Sequence, residues 1–195
     1  SEGPHASGAL PVVDLVIPES QIVSWWDTVI DAGGRAAGSW AFDALRVAGT
    51  RPRLGIDTDE RTIPHEVNWI GGPQEFGAVH LDKGCYRGQE TVARVHNLGK
   101  APRRLVLLHL DGSADDKPEP GAAVTAGGRT VGRVGTVIDH FELGPIALAL
   151  VKNGIGPDVE LEVGDRVPAR IDPDSIRTDA RVQAGRAAID RLRGR

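Results

Sequence analysis

Methionine is absent from this 195-residue chain, which opens at Ser1, so the sequence reads as a processed or truncated piece of a longer one. Aromatic residues make up only 4%, half of them tryptophan. A single cysteine excludes an internal disulfide and a self-contained thiolate metal site. Cytoplasm is then the expected compartment. No apolar run reaches the roughly eighteen residues needed to span a bilayer, so no membrane partner is expected. Residues 1–10 are small, polar and broken by Gly and Pro, without the apolar stretch of a signal peptide, and read as a flexible N-terminus over 1–11. What remains is globular: 40% hydrophobic, 26% charged, net charge −4. That is enough chain to bury a core without staples.

The charge is unevenly placed. Between Lys83 and Arg104 stand six cations against Glu90 alone, and from Asp174 to Arg195 six arginines face three aspartates. Basic segments on an acidic protein suit an anionic ligand or partner, although a solvated face has the same composition.

The one cysteine lies inside the first basic segment, in Lys83-Gly84-Cys85-Tyr86-Arg87-Gly88-Gln89-Glu90. Glycines at 84 and 88 permit a sharp, exposed turn. Lys83 and Arg87 favour thiolate over thiol by Coulomb attraction, and a helix over residues 88–97 would add its N-terminal dipole. Tyr86 could stack on a flat ligand or anchor the loop. Gln89 and Glu90 could hydrogen-bond the loop backbone in place. A lone cysteine is also, commonly, a small buried hydrophobe. Both readings stand on local chemistry.

Along the chain, residues 12–17 read as a strand ended by Pro18. Ile22, Trp25, Trp26, Val29 and Ile30 fall on one helical face, stopped at Gly33-Gly34. Residues 40–47 are ambiguous between strand and helix. Residues 49–64 are polar and turn-rich, and their Asp57, Asp59 and Glu60 read as a solvated turn or a site for a cation or amine. Beyond Pro102 the apolar runs 104–110, 131–138, 146–151, 159–163 and 167–171 are short and close-spaced, as in a small barrel. Gly127, Gly128, Gly132 and Gly135 lack the Lys-Ser/Thr ending of a phosphate loop and mark tight turns or close strand packing. Residues 174–192 suit a terminal helix. The boundary falls at 98–102.

Metal chemistry finds little support. His65-Glu66 begins like a zinc-protease helix, but Trp69 stands where the second histidine belongs. His5, His80, His96, His109 and His140 have no ligand spacing either.

Residues 83–90 resemble the signature of the YgfZ family, folate-binding relatives of the glycine-cleavage T-protein, shared by iron–sulfur assembly factors of the same superfamily. Residues 45–49 (Leu-Arg-Val-Ala-Gly) and 54–64 (Leu-Gly-Ile-Asp-Thr-Asp-Glu-Arg-Thr-Ile-Pro) resemble a T-protein segment, and residues 132–151 its barrel strands. The resemblance covers residues 12–172. It implies an α+β fold: residues 12–102 as the closing part of a T-protein-like folate-binding domain, residues 103–195 as a small C-terminal antiparallel β-barrel with a terminal helix.

It implies, further, a role in iron–sulfur cluster assembly or maintenance through Cys85, supporting enzymes such as tRNA-modifying radical enzymes. Tetrahydrofolate is the implied cofactor, with Asp57, Arg87, Arg103 and Arg104 toward the folate or its anionic tail. Cys85 is a possible ligand of a cluster shared with a partner. The implied partners are the N-terminal half of the family fold and iron–sulfur client enzymes or cluster carriers. Family members carry that half ahead of the matched segment, and Ala48 stands where the T-protein has a pterin-contacting glutamate. The alternatives are a T-protein-like aminomethyltransferase, an RNA-binding module and a scaffold. For RNA, Tyr86 is the only aromatic within the basic stretch, so a direct nucleic-acid partner is not expected.

Overall fold

Six short strands close on themselves. The computed structural model describes residues 12–71, 77–98, 100–113 and 116–176. Its helices are α1 (Ile22–Asp31), α2 (Ser39–Ala48) and α3 (Gln89–Leu98). Its strands are β1 (Arg103–Leu110), β2 (Ala123–Ala126), β3 (Arg129–His140), β4 (Gly144–Lys152), β5 (Leu161–Val163) and β6 (Val167–Ile171). They form a closed antiparallel barrel in the order β1-β4-β3-β2-β5-β6, completed where β6 returns to β1 with Leu108 opposite Ile171.

The barrel interior follows the strand period of two. Val106, Leu108 and Leu110 of β1 and Ala147, Ala149 and Val151 of β4 point inward, and the alanines suit a narrow lumen. The alternate residues are buried as well. Leu105 and Leu107 of β1 and Ile146, Leu148 and Leu150 of β4 pack outside the barrel against Val47 of α2 and Val67. Two strands buried on both faces need continuous apolar sequence, which is why Leu105 to Leu108 and Ile146 to Val151 lack polar alternation. Fully burying each such Leu or Ile stabilises by about 1.5–3 kcal/mol.

Close backbone approaches explain two glycines. A Cβ on Gly132 would lie 2.4 Å from the Leu150 carbonyl oxygen. A Cβ on Gly135 would lie 2.2 Å from Asp57 Oδ1. Gly127 and Gly128 both take positive φ, 53° and 76°, in the two-residue β2–β3 hairpin turn.

Asp57 sits where β3 breaks register with β4, between Val134 and Val137. The carboxylate is 1% exposed and fully engaged. Oδ1 accepts from the Thr136 amide at 2.6 Å. Oδ2 accepts from the Arg53 amide at 2.7 Å and from Arg46 Nη1 at 2.9 Å. Arg46 is itself buried, donating to Asp43, to the Arg51 carbonyl and to Thr136 Oγ1. The solvated-turn reading of the cluster is therefore corrected for Asp57, while Glu60 is exposed. Asp57 is a buried ion-pair partner whose bulk fills the bulge.

Other expectations change too. Residues 12–17 form no strand and pair with no described one, and most are exposed; an apolar run without a neighbouring edge makes no ladder. Residues 40–47 resolve as helix, because Ala44 and Val47 bury one face while Arg46 turns to Asp57. Strand β2, only four residues ending in a Gly-Gly turn, had no legible apolar run. Of the terminal helix expected over 174–192, residues 173–175 instead form a 3-10 turn capped by the Asp172 side chain, and residues 177–195 lie outside those described.

Replacing Asp57 by Ala takes from the buried Arg46 one of its two carboxylate partners, leaving Asp43, and strips the Arg53 and Thr136 amides of their acceptor; it is expected to cost about 3–5 kcal/mol. Chemical denaturation checks it. A midpoint within error of wild type would mean that Asp57 does not anchor α2 to the barrel.

Candidate functional site

Cys85 is exposed and unbonded, on a loop that leads into α3. The loop is held by its own backbone and one side chain. Gln89 Oε1 accepts from the Tyr86 amide at 3.1 Å, while the Gln89 amide donates to the Tyr86 carbonyl at 3.3 Å. Gln89 thus takes the loop-holding role expected of it, whereas Glu90 is exposed and makes no such bond to a described residue. Gly88, at φ 84°, gives the backbone its entry into α3; an L side chain would be strained there. Gly84 carries no such constraint, since its φ is ordinary and a Cβ would meet nothing within 4 Å.

The flanking cations differ. Lys83 Nζ lies over the ring of the half-buried Tyr86, 5.2 Å from its centroid, a cation–π contact. Arg87 is exposed and makes no hydrogen bond or ion pair with a described residue. Among the described residues it is the free cation beside the thiol. The thiol has no described acid or base within bonding distance, so the loop offers a reachable sulfur with positive charge nearby rather than a proton-relay centre.

Behind the loop, α3 buries Val92 and packs on the 3-10 turn Pro64–Val67, with the rings of His96 and His65 5.9 Å apart. That turn is tied to the barrel through Glu66, 1% exposed. Arg103 Nε and Nη2 reach its two carboxylate oxygens at 2.8 and 2.9 Å. Glu66 also accepts from the Ile63 amide at 3.1 Å. Arg103 Nη1 reaches Asp59 at 3.4 Å, and Arg133 Nε lies 3.5 Å from the same oxygen. The fork expected to receive a folate tail is thus filled by the protein's own carboxylates. Arg104 is likewise diverted, donating to the Ile155 carbonyl, and burial lowers its pKa. Asp57 has no free oxygen for a ligand, since both are bonded within the protein. Glu66 was weighed in the sequence only within the rejected zinc-protease reading, and Arg133 drew no notice; the signal for Glu66 was a glutamate two residues after Pro64, at the start of a short helical turn.

Among the described residues no group of three His, Cys, Asp or Glu is arranged to hold a metal ion, and no helix is long and apolar enough to cross a membrane.

Residues 103–173 match the family model described as the CAF17 C-terminal beta-barrel domain. The chain is 33% identical over 130 residues to a chloroplastic protein of Arabidopsis thaliana named as a transferase, and 29% identical over 140 residues to the tRNA-modifying protein YgfZ of Aliivibrio fischeri. It is 35% identical over 149 residues to the aminomethyltransferase of Thermus thermophilus. The chain belongs to the superfamily of YgfZ and aminomethyltransferase. Its matches take in 64%, 68% and 74% of this chain, but only 28%, 41% and 38% of those relatives. The chain thus spans less than half the length of each. The closed barrel with its flanking helices is the C-terminal barrel of a T-protein-like fold, as the resemblance implied.

Asp59 supplies a pH dependence. Burial alone would raise its pKa, but bonds from the Thr62 hydroxyl and Arg103 outweigh this and hold it at about 2, against 3.8 unperturbed. The folded state therefore binds this proton less readily than the unfolded state. Its contribution is present above about pH 4 and is lost as pH falls toward 2. In urea titrations, Asp59→Asn should lose less stability than wild type across that window. Equal losses would assign the acid sensitivity elsewhere.

Proposed function

We propose that this chain is a YgfZ-like module that serves iron–sulfur cluster assembly or maintenance, with Cys85 as the working group. The observation that carries the reading is an exposed thiol on a self-braced loop, with Arg87, unpaired among the described residues, two positions on. One thiol cannot ligate a cluster alone. Cys85 holds the sulfur or cluster jointly with a small thiol or with a carrier or client enzyme. Arg87 attracts the anionic cargo, and Gln89 keeps the loop in its open shape. Enzymes that modify tRNA are natural clients, since one relative is named for that role.

Tetrahydrofolate enters by relationship to the T-protein. Of the residues assigned to it, Arg87 is unpaired among the described residues; Asp57 and Arg103 are bonded within the protein, and Arg104 donates to the Ile155 carbonyl while its buried Nε has no described partner. Ala48 offers no side-chain acceptor for a pterin. Folate walls are then contributed by polypeptide equivalent to the N-terminal half of the longer relatives. A second reading, folate-dependent aminomethyl transfer, draws on the similarity to the Thermus enzyme. It has no use for Cys85.

The test is anaerobic assembly of an iron–sulfur cluster on the full chain with glutathione, followed by transfer to an apo-ferredoxin. Wild type should hold and pass the cluster, and Cys85→Ser should fall to the level without protein. Arg87→Ala should slow loading while leaving the fold intact. If Cys85→Ser matches wild type, the thiol reading fails. Tetrahydrofolate binding that survives Cys85→Ser would then favour aminomethyl transfer.

A further inference from the structure

The bonds of the Cys85 loop fix its shape but not its place. Gln89 to Tyr86, and the Lys83 amide to the His80 carbonyl, run within residues 80–89. Its place comes from α3, into which it leads. Helix α3 buries Val92 and half-buries Val95 and His96. Among the described residues the element it packs on most is the 3-10 turn Pro64–Val67, where the rings of His65 and His96 meet.

Two residues hold that turn. Val67 belongs to the apolar layer outside β1 and β4. Apolar burial is non-directional, so it fixes how near the turn lies and not how it points. Glu66 supplies the direction. Its carboxylate, 1% exposed, receives Arg103 Nε and Nη2 on its two oxygens at 2.8 and 2.9 Å and the Ile63 amide at 3.1 Å. A planar guanidinium meeting a planar carboxylate at two points leaves little freedom to rotate. Arg103 is the first residue of β1, so the turn takes its bearing from the barrel. The helix is then a lever. Over the roughly 12 Å of helical rise from His96 to Gly88, a tilt of about 5° moves the thiol loop by about 1 Å. A misplacement of about 1 Å can slow a reaction about 100-fold.

We infer that Glu66 is the positioning residue of the thiol site: clamped by Arg103, it sets through α3 where Cys85 is presented. Its effect on cluster transfer rests on the thiol reading above; its effect on the place of Cys85 does not.

Cys85 is the chain's one cysteine, so a nitroxide attached to it reports loop order with no other substitution. Glu66→Gln keeps the volume but turns an amide donor toward the Arg103 and Ile63 donors. In this variant the electron paramagnetic resonance lines at Cys85 should sharpen. Cluster transfer from the unlabelled full chain to apo-ferredoxin should slow about tenfold. Arg103→Lys keeps the charge without the fork and should fall between Glu66→Gln and wild type in both measurements; it carries the test if Glu66→Gln does not fold. Val163→Ala, a truncation inside the barrel, should lower the urea midpoint and leave both measurements at wild type. A nitroxide spectrum unmoved in the folded Glu66 or Arg103 variant, or moved as far by Val163→Ala, would overturn the inference. So would sharpened lines with an unchanged transfer rate. If Cys85→Ser transfers clusters like wild type, the cluster reading alone fails, and the spectra still decide whether Glu66 places the thiol.

Discussion

Much of this molecule hangs on one buried carboxylate. Asp57 reaches from a turn into the interruption of β3 and is met there by two amides and a guanidinium. A buried ion pair is seldom worth more than the apolar packing that could replace it; its value lies in fixing one geometry. Here that geometry joins three pieces. Arg46 brings the end of α2, the Arg53 amide brings the turn, and Thr136 brings the barrel. Gly135 is glycine because Asp57 occupies the space of its side chain. Once α2 is fixed, Val47 covers the outer faces of β1 and β4, and the second apolar layer can form.

A second ionic joint extends the construction toward the thiol. Glu66 and Arg103 bind the Pro64–Val67 turn to the first residue of β1, and α3 rests on that turn. The Cys85 loop therefore takes its position from the barrel through a short relay: strand, arginine, glutamate, turn, helix. Among the described residues the loop itself is braced locally, by Gln89, the Lys83 amide on the His80 carbonyl and the Lys83–Tyr86 contact. Rigid support below and open backbone above suit a group that must be reached by large partners.

Much of the architecture was legible because the sequence periods are clean. The run from Ile146 to Val151 could only be a doubly buried strand or a buried helix segment, and the close spacing of its neighbours favoured the strand. The Ile22–Ile30 stripe read directly as a helix. The site was legible only in part. Gly88 and Gln89 were recognisable from local chemistry because their roles are local. The partners of Asp57, Arg103 and Arg104 were not, for the opposite reason. An arginine and a carboxylate some forty positions apart carry no mark showing whether they will meet each other or a ligand. Tertiary pairing decides, and Glu66 waits 37 positions upstream of Arg103. Residues 12–17 failed as a strand for a similar reason: β propensity needs a free edge to pair with, and a single sequence does not show where one is.

Closure of the barrel limits how this chain can meet other molecules. Every one of its six strands has hydrogen-bonded neighbours on both sides. No strand of the barrel is left open along its whole length; one side of residues 103–107 of β1 and of residues 134–140 of β3 lies beyond the reach of β6 and β2, so little edge remains for another chain to extend. Side chains presented by helices and loops are then the main surface for recruitment among the described residues. Partners will be discriminated by shape and charge, not by backbone templating.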